Sequence, residues 1–174
     1  MGIKRKKILF FCFSSTGITI MSYPTIALAS DHAGFDRKQV IIAYLKEKGM
    51  VFSDLGCYSD EPCDYPDFGH SIARAVSSGE YELGITFCGS GQGISITANK
   101  YPKIRSALCW NAEIAKLARE HNNANICAIP GRFVTDEEAI AIVEAYLNAK
   151  FEGGRHQRRI DKIAFADSRT STNS

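Results

Sequence analysis

The sequence predicts an α/β domain: a three-layer, doubly wound sheet of five parallel strands with helices on both faces. Three observations carry this expectation. From Thr25 onward, short apolar or β-branched runs alternate with longer amphipathic segments, the pattern of βα units feeding a parallel sheet. The 174 residues contain no internal repeat and no linker long enough to divide them, which suits one domain. Hydrophobic residues make up 45% and charged residues 23%, so a disordered, collagen-like or coiled-coil chain is excluded. A net charge of +2 lacks the strong basic excess of a nucleic-acid binder.

The elements follow in order. Strands are expected at Thr25–Ser30, Val51–Leu55, Leu83–Cys88, Ile104–Cys109 and Asn125–Ile129. Helices are expected near Phe35–Lys48, His70–Ser77, Asn111–Glu120 and Thr135–Lys150. In the first helix Val40, Ile41, Tyr44 and Leu45 fall on one face, and Gly49 stands where a C-cap belongs. Thr135 followed by Asp136, Glu137 and Glu138 is a helix start with acidic groups on the positive end of the dipole. After Gly153-Gly154 the basic segment RHQRRIDKI forms a last helix, and residues 166–174 are a polar, loose tail.

The amino terminus mimics a leader. Lys4, Arg5, Lys6 and Lys7 precede the apolar run Ile8–Phe13, and Ala27-Leu28-Ala29 has the look of a cleavage site. Cleavage there would remove the first strand, so residues 1–21 are read instead as an extension outside the fold, or as the result of a start placed too early, with Met21 then the natural beginning. The domain then spans 22–165. The apolar run is too short to cross a bilayer, and no membrane partner is expected. Of the six cysteines, Cys88, Cys109 and Cys127 lie at or inside apolar runs, while Cys57 and Cys63 are spaced too widely for the usual zinc pair. A reducing cytoplasm is the simpler setting, with no metal.

In such sheets the ligand crevice lies beyond the carboxyl ends of the strands. The third strand ends in Cys88-Gly89-Ser90-Gly91-Gln92-Gly93, where glycines let backbone N–H groups converge on an anion. Neither the dinucleotide G-x-G-x-x-G spacing nor the Lys-Ser/Thr ending of an ATP loop is present. A thiol at such a turn is expected to be acidified, fit to serve as base or nucleophile. Asp31-His32 at the end of the first strand could serve proton transfer or anion binding, or be a helix cap beside a surface histidine. His121-Asn122-Asn123 could be simple helix-ending residues; because this segment enters its strand, it should lie at the edge opposite Cys88. A catalytic His121 would therefore come from a neighbouring subunit. Arg132, and Arg155 with Arg159 on one helical face, could hold a phosphate or form a solvated basic face.

Taken together, these pieces resemble the type B ribose-5-phosphate isomerase family, within a wider group that includes galactose-6-phosphate isomerase subunits. The resemblance covers about Ile26 to Ile163 and rests on SDHAGF, DYPDFG, CGSGQGISITANK, HNNAN and FEGGRHQRRID, in that order. It implies a cofactor-free aldose–ketose isomerase of the non-oxidative pentose phosphate pathway. Cys88 would be the proton-shuttling base and His121 the group that opens the furanose ring. Asp31, His32, Tyr65 and Asn122 would contact substrate. The amides of Gly89, Ser90, Gly91, Gln92 and Gly93 would hold the enediolate oxygen, and Arg132, Arg155 and Arg159 would surround the phosphate. It also implies a Rossmann-like strand order of 2-1-3-4-5, a C-terminal helix reaching a partner subunit, and a homodimer with shared sites, with tetramers left open. The chain departs from the family's pattern at Ile94, where one branch carries a glutamate base, and at Ser90, where relatives often have threonine. Having both Cys88 and His121 favours the pentose over a hexose 6-phosphate such as allose or galactose 6-phosphate. A non-catalytic phosphate- or nucleotide-binding module would leave both residues idle.

Overall fold

The structure, a computed structural model, describes residues 9–14, 17–22 and 24–163. Residues 166–174, expected as a tail, lie outside the described residues. Strands β1 (Leu9–Ser14) and β2 (Gly17–Ser22) form an antiparallel hairpin with its own two-stranded sheet. The sequence predicts no element over residues 1–21, and the hairpin is an addition to that expectation.

The second sheet is the predicted one: β3 (Ile26–Ser30), β4 (Phe52–Asp54), β5 (Leu83–Cys88), β6 (Ser106–Leu108) and β7 (Ile126–Pro130), all parallel. Its order is β4-β3-β5-β7-β6, which is 2-1-3-5-4 in the numbering of the five strands. The expected order 2-1-3-4-5 is therefore corrected at its far side. The reason lies in the strands themselves. β7 (ICAIP) is apolar and buried throughout, as a strand covered on both faces must be, whereas β6 (SAL) is three residues long and half-buried, suited to an edge.

Alternation along β3 divides the core. Ile26 and Leu28 face one layer with Ile85, Phe87, Cys127 and Ile129. Ala27 and Ala29 face the other with Ile72, Ala73 and Val76. The first layer is covered by α1 (Phe35–Glu47), α4 (Ala112–Asn122) and α5 (Asp136–Asn148), the second by α2 (Tyr65–Ser77) and α3 (Gln92–Ala98). The predicted start of α5 is present as a full capping box between Thr135 and Glu138. Two helices differ from expectation. α2 begins at Tyr65 rather than His70, because Pro66 in the first turn gives up an N–H that would have no intrahelical partner anyway. α3, unassigned in the glycine-rich stretch, forms because Ile94 and Ala98 are buried there. The last helix, α6 (Arg155–Ile160), packs near the end of α4 of its own chain, where the Glu152 amide donates to the Glu120 carbonyl (3.0 Å). Among the described residues no helix is long and apolar enough to cross a membrane.

Candidate active site

The carboxyl ends of β3, β5 and β7 meet in a single knot of backbone. The Asp31 amide donates to the Phe87 carbonyl (3.2 Å), that of Gly131 to Cys88 (2.9 Å) and that of Arg132 to Gly89 (3.1 Å). These bonds bring Asp31, His32, the Cys88–Gly93 loop and Arg132 to one edge. Gly91 adopts φ 72°, and a Cβ there would fall 2.4 Å from Leu108 Cδ1, so only glycine turns the chain into α3 at this point. Gly93 lies under the Tyr65 ring, whose Cε2 and Cζ would be 2.6 Å from an added Cβ. Tyr65 thus reaches the glycine loop from α2.

Cys88 sits at the centre and is only 4% exposed. Burial pushes its thiol up, against the backbone amides of Ile94, Gly91 and Ser90, and the Asp31 carboxylate adds to the rise. The expected acidified thiol is corrected: desolvation outweighs the converging amides. Burial likewise raises Asp31, opposed first by the Gly34 amide, which donates to its Oδ1 at 2.9 Å. Asp31 therefore also caps the short turn at His32–Gly34, as its cap alternative foresaw.

Three supporting residues went unforeseen. The Cys63 amide lies 3.1 Å from His32 Nδ1, and Cys63 Sγ accepts from the His32 amide at 3.2 Å, so the unassigned second cysteine of CYSDEPC holds the histidine. Lys38 is fully buried, with Nζ donating to Asp54 Oδ1 (2.6 Å) and to the Cys57 carbonyl (2.5 Å), which ties α1 to the loop leading to Cys63 and Tyr65. In sequence it is one lysine among several on a helix, with no signal of burial. Arg105 donates from Nε to the carbonyls of Asn122 (2.9 Å) and Asn123 (3.1 Å), fixing the end of α4.

That end lies at the opposite edge of the sheet, as the topology required. Asn125, entering β7, accepts from the Gly84 amide at the start of β5 (2.8 Å). From Leu83 at this edge β5 runs five residue steps to Cys88, about 17 Å at the rise of an extended strand. His121, Asn122, Arg155 and Arg159 gather here, the two arginines exposed on α6 and His121 half-buried. A single chain therefore brings together Asp31, His32, Tyr65, Cys88–Gly93 and Arg132, and separately His121, Asn122, Arg155 and Arg159. His121, Glu152 and His156 offer donor atoms within 4.8 Å of one another, a set of the kind that could hold a metal. Arg155 and Arg159 add positive charge beside it, which disfavours a cation.

A family model described as Ribose/Galactose Isomerase matches residues 26–163. The chain belongs to this family. It is 44% identical over 144 residues to ribose-5-phosphate isomerase B of Escherichia coli K12, covering 83% of this chain and 97% of that one. Among solved structures it resembles ribose-5-phosphate isomerase B of Clostridium thermocellum (TM-score 0.79, 48% identity, 80% and 94% coverage). It also resembles the Mycoplasma genitalium enzyme with bound ribulose-5-phosphate (TM-score 0.76, 48% identity, 80% and 93% coverage). The family match spans both residue groups and begins after the β1–β2 hairpin.

Proposed function

We propose that this chain is an aldose–ketose isomerase that interconverts D-ribose 5-phosphate and D-ribulose 5-phosphate through an enediolate. The observation that carries the reading is the Cys88 sulfur held among the amides of the glycine loop, in a chain of this family. In the open-chain aldose the Cys88 thiolate takes the proton from C2 and returns it to C1, while the hydroxyl proton moves from O2 to O1. Burial makes the thiolate scarcer but a stronger base once formed. The N–H groups of Gly89–Gly93 face the oxygen on which charge develops, where each preorganised donor contributes roughly 3 kcal/mol. His121 opens the furanose ring beforehand. Asp31, His32, Tyr65 and Asn122 contact the sugar, and Arg132, Arg155 and Arg159 hold the phosphate, whose binding energy orients the reacting carbons.

The two residue groups lie on opposite edges of one chain, so the working site is assembled between the subunits of a homodimer, each supplying one group. The isomerase domain spans residues 22–165, and the setting is cytoplasmic. A hexose 6-phosphate would use the same proton transfer and differ only in the length of the pocket it needs.

The decisive assay is conversion of ribose 5-phosphate to ribulose 5-phosphate in the presence of a chelator, beside allose and galactose 6-phosphates. Metal-independent turnover with preference for the pentose is expected. Preference for a hexose would move the assignment to that substrate, and no turnover of any of them would refute it.

A further inference from the structure

The edge group around His121 holds a second histidine without a task so far. His156, in the first turn of α6, is 5% exposed. Its ring lies flat on that of His121, with centroids 4.2 Å apart and planes inclined by 6°. Glu152 Oε2 lies 3.9 Å from His121 Nε2 and 3.4 Å from His156 Nε2. Arg155 Nε donates to His156 Nε2 at 3.2 Å. A guanidinium only donates, so Nε2 of His156 accepts and its ring proton resides on Nδ1. The imidazole is thus neutral. Its burial favours the same state, as do the charges of His121, Arg155 and Arg159, with Glu152 opposing.

The consequence falls on His121. A histidine at a helix end, half-exposed, is free to turn about two side-chain torsions, yet proton transfer needs its nitrogen within hydrogen-bond reach of the sugar oxygen. The flat, uncharged face of His156 removes much of that freedom while leaving the His121 side chain 35% exposed. Glu152, anchored through its own amide to Glu120, marks the Nε2 side of both rings.

We propose that His156 is a positioning residue: a neutral ring, fixed by Arg155, that sets the plane of His121 for opening the furanose. This rests on the role given to His121 above. The test exploits a property of the product. Ribulose 5-phosphate carries its phosphate on O5, cannot close a furanose, and exchanges its C1 proton with D2O without any ring-opening step.

In His156→Ala, kcat for ribose 5-phosphate should fall on the order of 10- to 100-fold with KM little changed. C1 exchange into ribulose 5-phosphate should stay at the wild-type rate, which also shows that the variant is folded. His156→Phe, which keeps a flat ring, should retain most of kcat, whereas His156→Asn, polar without a ring, should not; this pair decides should the alanine variant fail to fold. A raised KM at unchanged kcat would make His156 a substrate contact and overturn the positioning role, and so would equal losses in both reactions of folded protein. His121→Ala is measured in parallel. If it turns over ribose 5-phosphate normally, the role of His121 falls and that of His156 with it; if it is impaired while folded His156→Ala is not, only the positioning role fails.

Discussion

The two edges of the sheet are built on different physical terms. At the carboxyl edge the working parts are backbone: amides around a buried sulfur, locked by bonds between the ends of three strands. At the amino edge they are side chains: a half-exposed histidine, a stacked partner and exposed arginines on a six-residue helix. The first arrangement suits stabilising charge at a fixed point, since its donors need no reorganisation. The second suits gripping and releasing a substrate whose phosphate lies far from the reacting carbons. The difference teaches that one chain keeps the two kinds of machinery apart, and under the function proposed above a second copy is what brings them together.

The largest effect expected concerns the rigid edge. Cys88→Ala should lower kcat by about a thousandfold or more, the scale of removing an acid–base group, while KM for ribose 5-phosphate changes little. Steady-state kinetics checks this, and near-normal turnover would remove the sulfur from the chemistry. The next tests the division itself. Cys88→Ala and His121→Ala, each nearly inactive alone, should regain about a quarter of wild-type activity when unfolded and refolded together in equal amounts. Half of the dimers are then mixed, and each mixed dimer holds one intact site of two. No recovery would mean that the groups are not shared between subunits.

Stability comes third. Lys38→Met leaves Asp54 and the Cys57 carbonyl without their cation and should cost about 3 kcal/mol in urea unfolding, because one partner of a largely buried pair is lost. A change within experimental error would show that the loop carrying Cys63 and Tyr65 is held by other means. The smallest effect is electrostatic. The negative charge of Asp31 helps hold the Cys88 thiol up, so Asp31→Asn, which keeps an acceptor for the Gly34 amide, should let the thiol ionise at lower pH. Ultraviolet titration of the thiolate checks the direction, and an upward move would contradict it.

Much of this was legible in the chain, and the exceptions have identifiable causes. The five strands were readable because parallel strands buried on both faces are runs of apolar residues, as in Leu83–Cys88 and Ile126–Pro130. The order of β6 and β7 was not legible, because the two strands have similar lengths as read from sequence and only the structure shortens β6 to Ser106–Leu108 and buries β7 throughout. α3 was hidden because glycine and serine obscure helical periodicity, and its helix is set by burial of Ile94 and Ala98. The site motifs stood out by residue type: glycines at a strand end, paired acid and imidazole, spaced arginines. Cys63, Lys38 and His156 did not, since nothing in a side chain's identity tells which distant atom it will meet.

By itself the sequence determined the fold class, the βα alternation, the cap of α5 and the separation of His121 from Cys88, because each follows from local periodicity or from the direction in which a segment enters the sheet. Tertiary structure alone decided the placement of the fifth strand inside the fourth, the raised thiol and the stacking of His156 on His121. These depend on desolvation and on contacts between residues remote in the chain, and such quantities exist only once the layers have closed around them.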